Sequence, residues 1–531
     1  MSINHLLLLV GIVIIICIFT DRLTDRLGVP SLLAFIALGM CFGVDGIFGI
    51  AFNNYQVSET ICSVSLIFIM FYGGFGTNIK EARPIIARAA VLSTLGVVLT
   101  AGIVGLFVHL VLGRPILESL LVGSVICSTD AASVFSILRS KNLNLKENTA
   151  SLLEMESGSN DPVSYMMTVI LTAMLTGGSV SVPVMLAQQL ILGALFGVLI
   201  GKAAVWALNQ VIPSVNQSRT IVLFAVAVLA YALPSILGGN GYLSVYLCGI
   251  FMGNSFLPKK REMVQFFDVL TGIAQMLIFF LLGLLVTPSQ LPAVLVPSLL
   301  IMLFMTFIGR PLTAAVILAF FKGSRGQIGI VSWAGLRGVA SIVFAIYAVL
   351  REVPMGYNLF NLVFCIVLLS ISVQGTLLPW VCEKLGMIDE NADVRRTFND
   401  YQEDSDISFV KLHIDEGHHY AGRALKDLML PPHLLVVLII RGKETIVPNG
   451  ATILEPGDLL VAAGEEFEDR RDMTLQEITV TKSHRWVGCT LNKAVVPKGT
   501  LIVMIRRGKE TIIPDGETVI CEGDVLVRAK F

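Results

Sequence analysis

The chain has 531 residues, of which 55 % are hydrophobic and 15 % charged, with a formal net charge of −1 and a mean hydropathy of +0.79. This balance excludes an ordinary soluble protein and predicts a polytopic membrane protein, and the near-zero charge provides no field for nucleic acid or an acidic partner. Nine cysteines, among them Cys17, Cys41, Cys62, Cys127 and Cys248, are scattered without a CxxC pair and read as small core hydrophobes.

Apolar runs long enough to cross a bilayer recur at 4–20, 28–45, 58–75, 86–111, 116–138, 149–176, 183–208, 219–237, 240–257, 264–287, 292–320, 326–350 and 357–383, which predicts thirteen transmembrane spans. The first 21 residues contain no Lys or Arg, so the first run reads as a helix with its N-terminus outside rather than as a cleavable signal. In that orientation the cytoplasmic connections carry Arg22 and Arg26; Lys80, Arg83 and Arg88; Arg139, Lys141 and Lys146; Arg219; Lys259, Lys260 and Arg261; and Lys322 and Arg325. The opposite connections carry only Arg114 and Arg351. The alternation follows the positive-inside rule, and the odd count places the C-terminal region in the cytoplasm.

The fifth span carries Ser124, Ser128, Thr129 and Asp130. Hydroxyls and a carboxylate at depth suit a hard monovalent cation and not zinc, and a broken helix there would add backbone carbonyls. In the sixth span Glu154, Ser157 and Asp161 share one helical stripe, and Glu156 and Asn160 form the neighbouring one. Pro162 lacks the N–H that would bond the carbonyl of Gly158. Ionised groups at this depth are unfavourable by about 2.5–3.5 kcal/mol each on insertion scales and are kept for ion or proton handling. The eleventh and twelfth spans each hold one deep cation, Arg310 and Arg337; Arg337 is expected to pair with Glu156, and Arg310 to brace the site less directly. At least one carboxylate is then left to exchange a proton for a cation. Charged residues near helix ends, such as Lys202, Glu262 and Asp268, read as structural or water-facing groups.

After the spans the composition changes. Residues 388–406 hold seven acidic side chains and read as solvated linker. The tail contains a repeat: 14 of 24 residues are identical between the segments starting at Arg441 and Arg507, an offset of 66, and Tyr420, Gly422, Leu425 and Pro431 align with Trp486, Gly488, Leu491 and Pro497. Each copy is expected to form a strand, a short helix and β-branched strands closed by a turn at Gly457-Asp458 or Gly523-Asp524. The division is a membrane domain over 1–385, a linker over 386–406, and tail domains over 407–470 and 471–531. His413, His418, His419, His433 and His484 read as solvated. No GxGxxG follows a strand in the tail, so NAD or ATP binding is not expected.

Thr129-Asp130, the run ESGSNDP at 156–162 and GLRG at 335–338 resemble the signatures of NhaP-type monovalent cation/proton antiporters, in particular the potassium/proton subgroup. The resemblance implies an α-helical, inverted-repeat antiporter fold that works by alternating access as a homodimer in a bacterial plasma membrane, serving cation and pH homeostasis. It implies that Asp161 binds cation and proton, that Asn160 is its partner in the exchange, that Thr129 and Ser157 are oxygen ligands, that Asp130 belongs to the helix crossover and joins the exchange and cation-binding set, and that Glu156 holds Arg337. One-for-one, electroneutral exchange of K+ for H+ is implied in the same way, with no enzymatic activity and no cofactor. The tail copies resemble TrkA-C (RCK-C) domains, α+β units that dimerise and bind regulatory ligands, cyclic di-AMP in many bacteria. Na+/H+ antiport stays open as an alternative. So do an RCK-regulated K+ channel, for which no TVGYG-like filter is present, and a cation/solute symporter.

Overall fold

Within hydrocarbon every backbone N–H and C=O must be satisfied inside its own segment, and the apolar runs accordingly fold as helices. The structure, a computed structural model, describes residues 11–20, 30–141, 143–177, 181–210, 216–257 and 260–389, and in the tail 407–415, 418, 420–428, 430, 434–442, 444–465, 474–481, 485–494, 500–507, 510–512, 514 and 516–530. Arg22, Arg26, Lys259, His419, His433, His484, Pro431, Pro497 and linker residues 390–406 lie outside the described residues.

The first helices are α1 (Gly11–Thr20), α2 (Ser31–Phe42), α3 (Tyr55–Gly76) and α4 (Ile86–Leu112). They are followed by α5 (Ile116–Ile126), α6 (Ala131–Ser140), α7 (Thr149–Leu175) and α8 (Val182–Gln210). Next come α9 (Asn216–Ile236), α10 (Gly241–Gly253), α11 (Lys260–Leu285) and α12 (Pro292–Phe320). The membrane region closes with α13 (Arg325–Trp333), α14 (Val339–Leu350) and α15 (Leu359–Lys384). Seven of them, α3, α4, α8, α9, α11, α12 and α15, are long and apolar enough by length and composition to cross a membrane. α7 has the length, at 27 residues, but the polar run from Glu154 to Asp161 lowers its hydropathy.

The fifth and twelfth runs are each a pair of half-helices rather than one span, α5/α6 interrupted at residues 127–130 and α13/α14 at residues 334–338. The first break matches the oxygen-rich sequence there. The second departs from the single span that the apolar run 326–350 predicts, and it takes Arg337 out of a helix. Breaks at membrane depth are tolerated where other protein groups satisfy the freed backbone.

A shared plan emerges in α4–α7 and α12–α15. Each begins with a long helix containing a π-helical turn, Leu92–Gly96 or Met305–Gly309, continues through a broken pair, and ends in a long helix with an internal proline, Pro162 or Pro379. The two sets start seven spans apart, an odd number, and so run in opposite directions through the membrane, as inverted repeats do. These helices pack among themselves, and α2, α3 and α8–α11 form a second group. Glycines draw the second group tight: a Cβ on Gly39 of α2 would meet the Cα of Gly283 in α11 at 2.9 Å, and small residues at such crossings let membrane helices approach closely.

The tail forms a separate compact unit, Ser405–Phe531. It holds two antiparallel sheets of one topology. β1 (Ile407–His413), β2 (Leu435–Arg441), β3 (Glu444–Ile446) and β4 (Asp458–Glu465) are ordered β1-β4-β2-β3. β5 (Thr474–Thr479), β6 (Thr500–Arg507), β7 (Glu510–Ile512) and β8 (Val525–Lys530) are ordered β5-β8-β6-β7. The offset of 66 carries over to the cores, where Ile414, Ile439, Leu454 and Leu460 correspond to Val480, Ile505, Ile520 and Leu526. The expected short helix is only one 3-10 turn, Leu425–Asp427, with plain turns at the equivalent place in the second copy among the described residues.

Candidate functional site

The two helix breaks meet. Asp130 N donates to Leu336 O at 2.9 Å, joining the interrupted strands of backbone. The Asp130 carboxylate accepts from Ser133 N at 3.2 Å and Ser133 Oγ at 2.5 Å, capping α6, and it lies against Gly338, where any Cβ would collide with it. It thus sits at the N-terminal ends of both α6 and α14, which carry partial positive charge. At the opposite polarity, the C-terminal end of α5, the buried Arg337 Nη1 donates to Cys127 O and Ser128 O, both at 2.8 Å. Its own N–H donates to Ser370 Oγ at 3.1 Å.

Against this crossing α7 presents two faces. On one, Glu156 and Asn160 are fully buried. Arg310 Nη2 donates to Glu156 Oε2 at 2.7 Å, and Asn160 Nδ2 donates to Glu156 Oε1 at 3.3 Å and to Thr129 Oγ1 at 2.5 Å. This polar chain runs from α12 through α7 to the break. On the other face Ser157 Oγ donates to Thr129 O at 2.7 Å, and Ser128 Oγ donates to Asp161 Oδ1. Asp161, 9 % exposed, opens into a cavity of about 670 Å³ that also touches Thr129, Asp130, Glu154, Ser157 and Asp268. The cavity lies between the two helix groups, with α2, α3 and α11 forming its far wall.

The stripes read from the sequence therefore point as expected: Glu154, Ser157 and Asp161 face the cavity, and Glu156 and Asn160 face away from it. One pairing is corrected. Glu156 is held by Arg310, not by Arg337. The π-helical turn Met305–Gly309 ends immediately before Arg310 and sets the angle at which that side chain leaves α12. Arg337, released from a helix by the break, instead satisfies the carbonyls that the break leaves without helical partners. Carbonyls 127, 128 and 129 consequently each accept a hydrogen bond already. Among the described residues no Lys or Arg pairs with Asp161.

Three contributors escaped sequence reasoning. Ser128 is legible in the sequence as a hydroxyl but not as the donor to Asp161, because a break erases the helical periodicity that would align them. Ser370, in the π-helical turn of α15, accepts from Arg337 and donates to Gln374 Oε1 at 2.5 Å. Asp268, read as a solvated helix-end charge, lines the cavity and accepts from Tyr72 OH at 3.0 Å.

Residues 11–384 match the family described as "Sodium/hydrogen exchanger, transmembrane". The chain belongs to the sodium/hydrogen exchanger family. The exchanger is a transporter and not an enzyme. Its tail matches the TrkA-C domain twice, over 409–466 and 475–527. It is 38 % identical over 378 residues to the K(+)/H(+) antiporter NhaP of Alkalimonas amylolytica, an alignment covering 70 % of this chain and 66 % of that one. It is 33 % identical over 473 residues to the K(+)/H(+) antiporter NhaP2 of Shewanella sp. (strain ANA-3), covering 88 % and 82 %. A Na(+)/H(+) antiporter, ApNhaP of Aphanothece halophytica, is 27 % identical over 390 residues, covering 70 % and 71 %. The fold is shared with the sodium proton antiporter MjNhaP1 of Methanocaldococcus jannaschii at pH 8: TM-score 0.64, 22 % identity, 72 % of this chain and 99 % of that one.

In the exchanger's tail the repeat preserves one ion pair. Asp458 accepts from Arg441 Nε and Nη2, both at 2.8 Å, and from Glu455 N at 2.8 Å. Asp524 accepts from Arg507 Nε and Nη2, both at 2.9 Å, and from Cys521 N at 2.8 Å. The preceding glycines, Gly457 and Gly523, have φ of +92° and +83°, a region that favours glycine. These bonds, those from the arginine side chains foremost, hold both carboxyls below the usual carboxylate range. The Gly-Asp pairs are turn chemistry locked by arginine.

Proposed function

We propose that the exchanger moves K+ against H+, one for one, across a bacterial plasma membrane as a homodimer with alternating access. Asp161 is the exchangeable group; Ser157 and Thr129 supply neutral oxygens, Asp130 secures the crossing, and Asn160 ties Thr129 to the Glu156–Arg310 pair. The observation that carries this reading is a carboxylate, Asp161, at a cavity of about 670 Å³ with a hydroxyl donor and no paired cation among the described residues, beside a second carboxylate that is fully paired. Only a group whose charge is left uncompensated can be neutralised in turn by a proton and by a monovalent cation. Competition for one site then couples the two fluxes. The choice of K+ follows two relatives at 38 % and 33 % identity, both named for K+/H+ exchange.

The orientation follows the basic connections. α7 and α11 begin beside Arg139, Lys141 and Lys146 and beside Lys259, Lys260 and Arg261, so the cavity, reached past Glu154 and Asp268, faces the cytoplasm. The odd span count reads the tail as cytoplasmic, and its TrkA-C pair takes a regulatory ligand, with cyclic di-AMP the first to try.

The test is proton movement in everted vesicles under K+, Na+ and Rb+ gradients. Wild-type protein is expected to respond to K+, with the apparent KM for K+ rising as protons are added on the cavity side, and Asp161→Asn to show no cation-driven proton movement. Substantial exchange by Asp161→Asn would sink the assignment, and a response to Na+ alone would replace the cation.

A further inference from the structure

The two helix groups touch across a seam at the depth of Asp161, and α10 supplies the polar contacts there. α10 packs chiefly on α3, α8 and α9, whereas α7 packs chiefly on α5 and α4. Just before α10, the buried Asn240 uses its two amide atoms separately. Oδ1 accepts from Leu243 N at 3.0 Å and caps α10. Nδ2 donates to Pro162 O at 2.8 Å, the carbonyl of the residue that follows Asp161. Ser159 Oγ donates to Tyr246 OH at 3.1 Å, and the rings of Tyr165 and Tyr242 meet edge to face with centroids 4.9 Å apart. Gly158 lies flat on the same tyrosine; a Cβ there would approach the Tyr246 ring to 2.9 Å. Residues 158–165 of α7 are thus gripped by α10 on one side while the Asp161 carboxylate points to Ser128 and the cavity on another.

We propose that Asn240 is a positioning residue for the exchange. Its bond to Pro162 O, seconded by Tyr246 on Ser159, holds α7 at the height where Asp161 meets this cavity, and it releases when Asp161 turns to the other side of the membrane. The proposal rests on the antiport reading above. A buried hydrogen bond made in only one of two states biases that equilibrium roughly 2- to 12-fold, and a biased equilibrium changes apparent affinity on the two sides in opposite directions.

The experiment compares wild type, Asn240→Ser and Asn240→Ala in everted and right-side-out vesicles, measuring the KM for K+ in each. Serine keeps an oxygen to cap α10 but is too short to reach Pro162, so it separates the latch from the cap even if alanine prevents folding. For Asn240→Ser, KM is expected to rise roughly 2- to 12-fold on the cavity side and to fall on the opposite side, with the maximal rate within a few-fold of wild type. An unchanged KM on both sides, or a change of the same sign on both, overturns the latch while leaving antiport intact. Wild-type vesicles without cation/proton exchange overturn both readings together.

Discussion

Glu156 and Arg310 are 1 % and 2 % exposed, and neither has water to fall back on. Removing one partner from a buried pair leaves a bare charge and is destabilising by about 3–5 kcal/mol, whereas replacing both with apolar groups of similar volume is often neutral or stabilising. Arg310→Met is therefore expected to lower the thermal unfolding midpoint in detergent more than the double variant Glu156→Leu/Arg310→Met does, a non-additivity that a double-mutant cycle reads directly. In the tail, Asp458 and Asp524 give a pH signature. Their carboxyls are held below the usual range by Arg441 and Arg507, so the folded state binds fewer protons than the unfolded state around that range. The stabilisation is fully present above the unfolded value of about 3.9 and is lost as pH falls through the lower folded value. Hydrogen-exchange protection in β4, taken relative to the intrinsic amide rate at each pH, should fall on acidification across that window, and Asp458→Asn should remove most of the pH dependence of protection in β4 while leaving that of β8.

At the scale of single elements, the π-helical turns decide which face a long helix presents. An α-helix advances about 100° per residue, so the extra residue in Met305–Gly309 turns Arg310 relative to the helix before it. Deleting Phe307, which is exposed toward lipid, is expected to restore α-helical register and swing Arg310 off Glu156. Phe307→Ala, which keeps the residue count, should leave stability close to wild type. Midpoints measured on the two variants side by side check this. The same physics marks where sequence reading stopped. The stripes Glu154–Ser157–Asp161 and Glu156–Asn160 were legible because α7 is continuous and its period holds through Pro162. The partner of Glu156 was not, because Arg310 follows a π-helical turn and Arg337 lies in a helix break, two places where a period of 3.6 gives no direction. The break in the twelfth span was illegible for a related reason: GLRG is stabilised there by Ser370 and by carbonyls of the distant break at 127–130, partners that local propensity does not register.

For the molecule as a whole, the run lengths carried most of the helix pattern, since bilayer thickness acts on every span alike. The tail's duplicated sheets were likewise visible as a repeat, because apolar cores of matching position 66 residues apart are served by one topology. What composition could not supply was the grouping of helices into two bodies, which depends on glycine crossings such as Gly39 on Gly283. The chain divides between Met1–Asp404 and Ser405–Phe531, so a stop after Asp404 removes the TrkA-C pair at a natural boundary. Such a truncation is expected to retain K+/H+ exchange with a shifted rate or pH profile; identical profiles before and after would show that the tail does not regulate transport.

The Arg310–Glu156 pair has an energetic consequence beyond stability. On the proposed exchange Asp161 is neutral with either H+ or K+ bound, since each carries one charge, and with Glu156 cancelled by Arg310 that carboxylate adds no second exchangeable proton, so a one-for-one swap carries no current. A membrane potential supplies about 2.3 kcal/mol per elementary charge per 100 mV, and on the proposed exchange none of it reaches this transporter. Flux stops where the K+ ratio across the membrane equals the H+ ratio. A cell with an alkaline interior and more K+ inside than outside would export K+ through it and acidify, at any voltage.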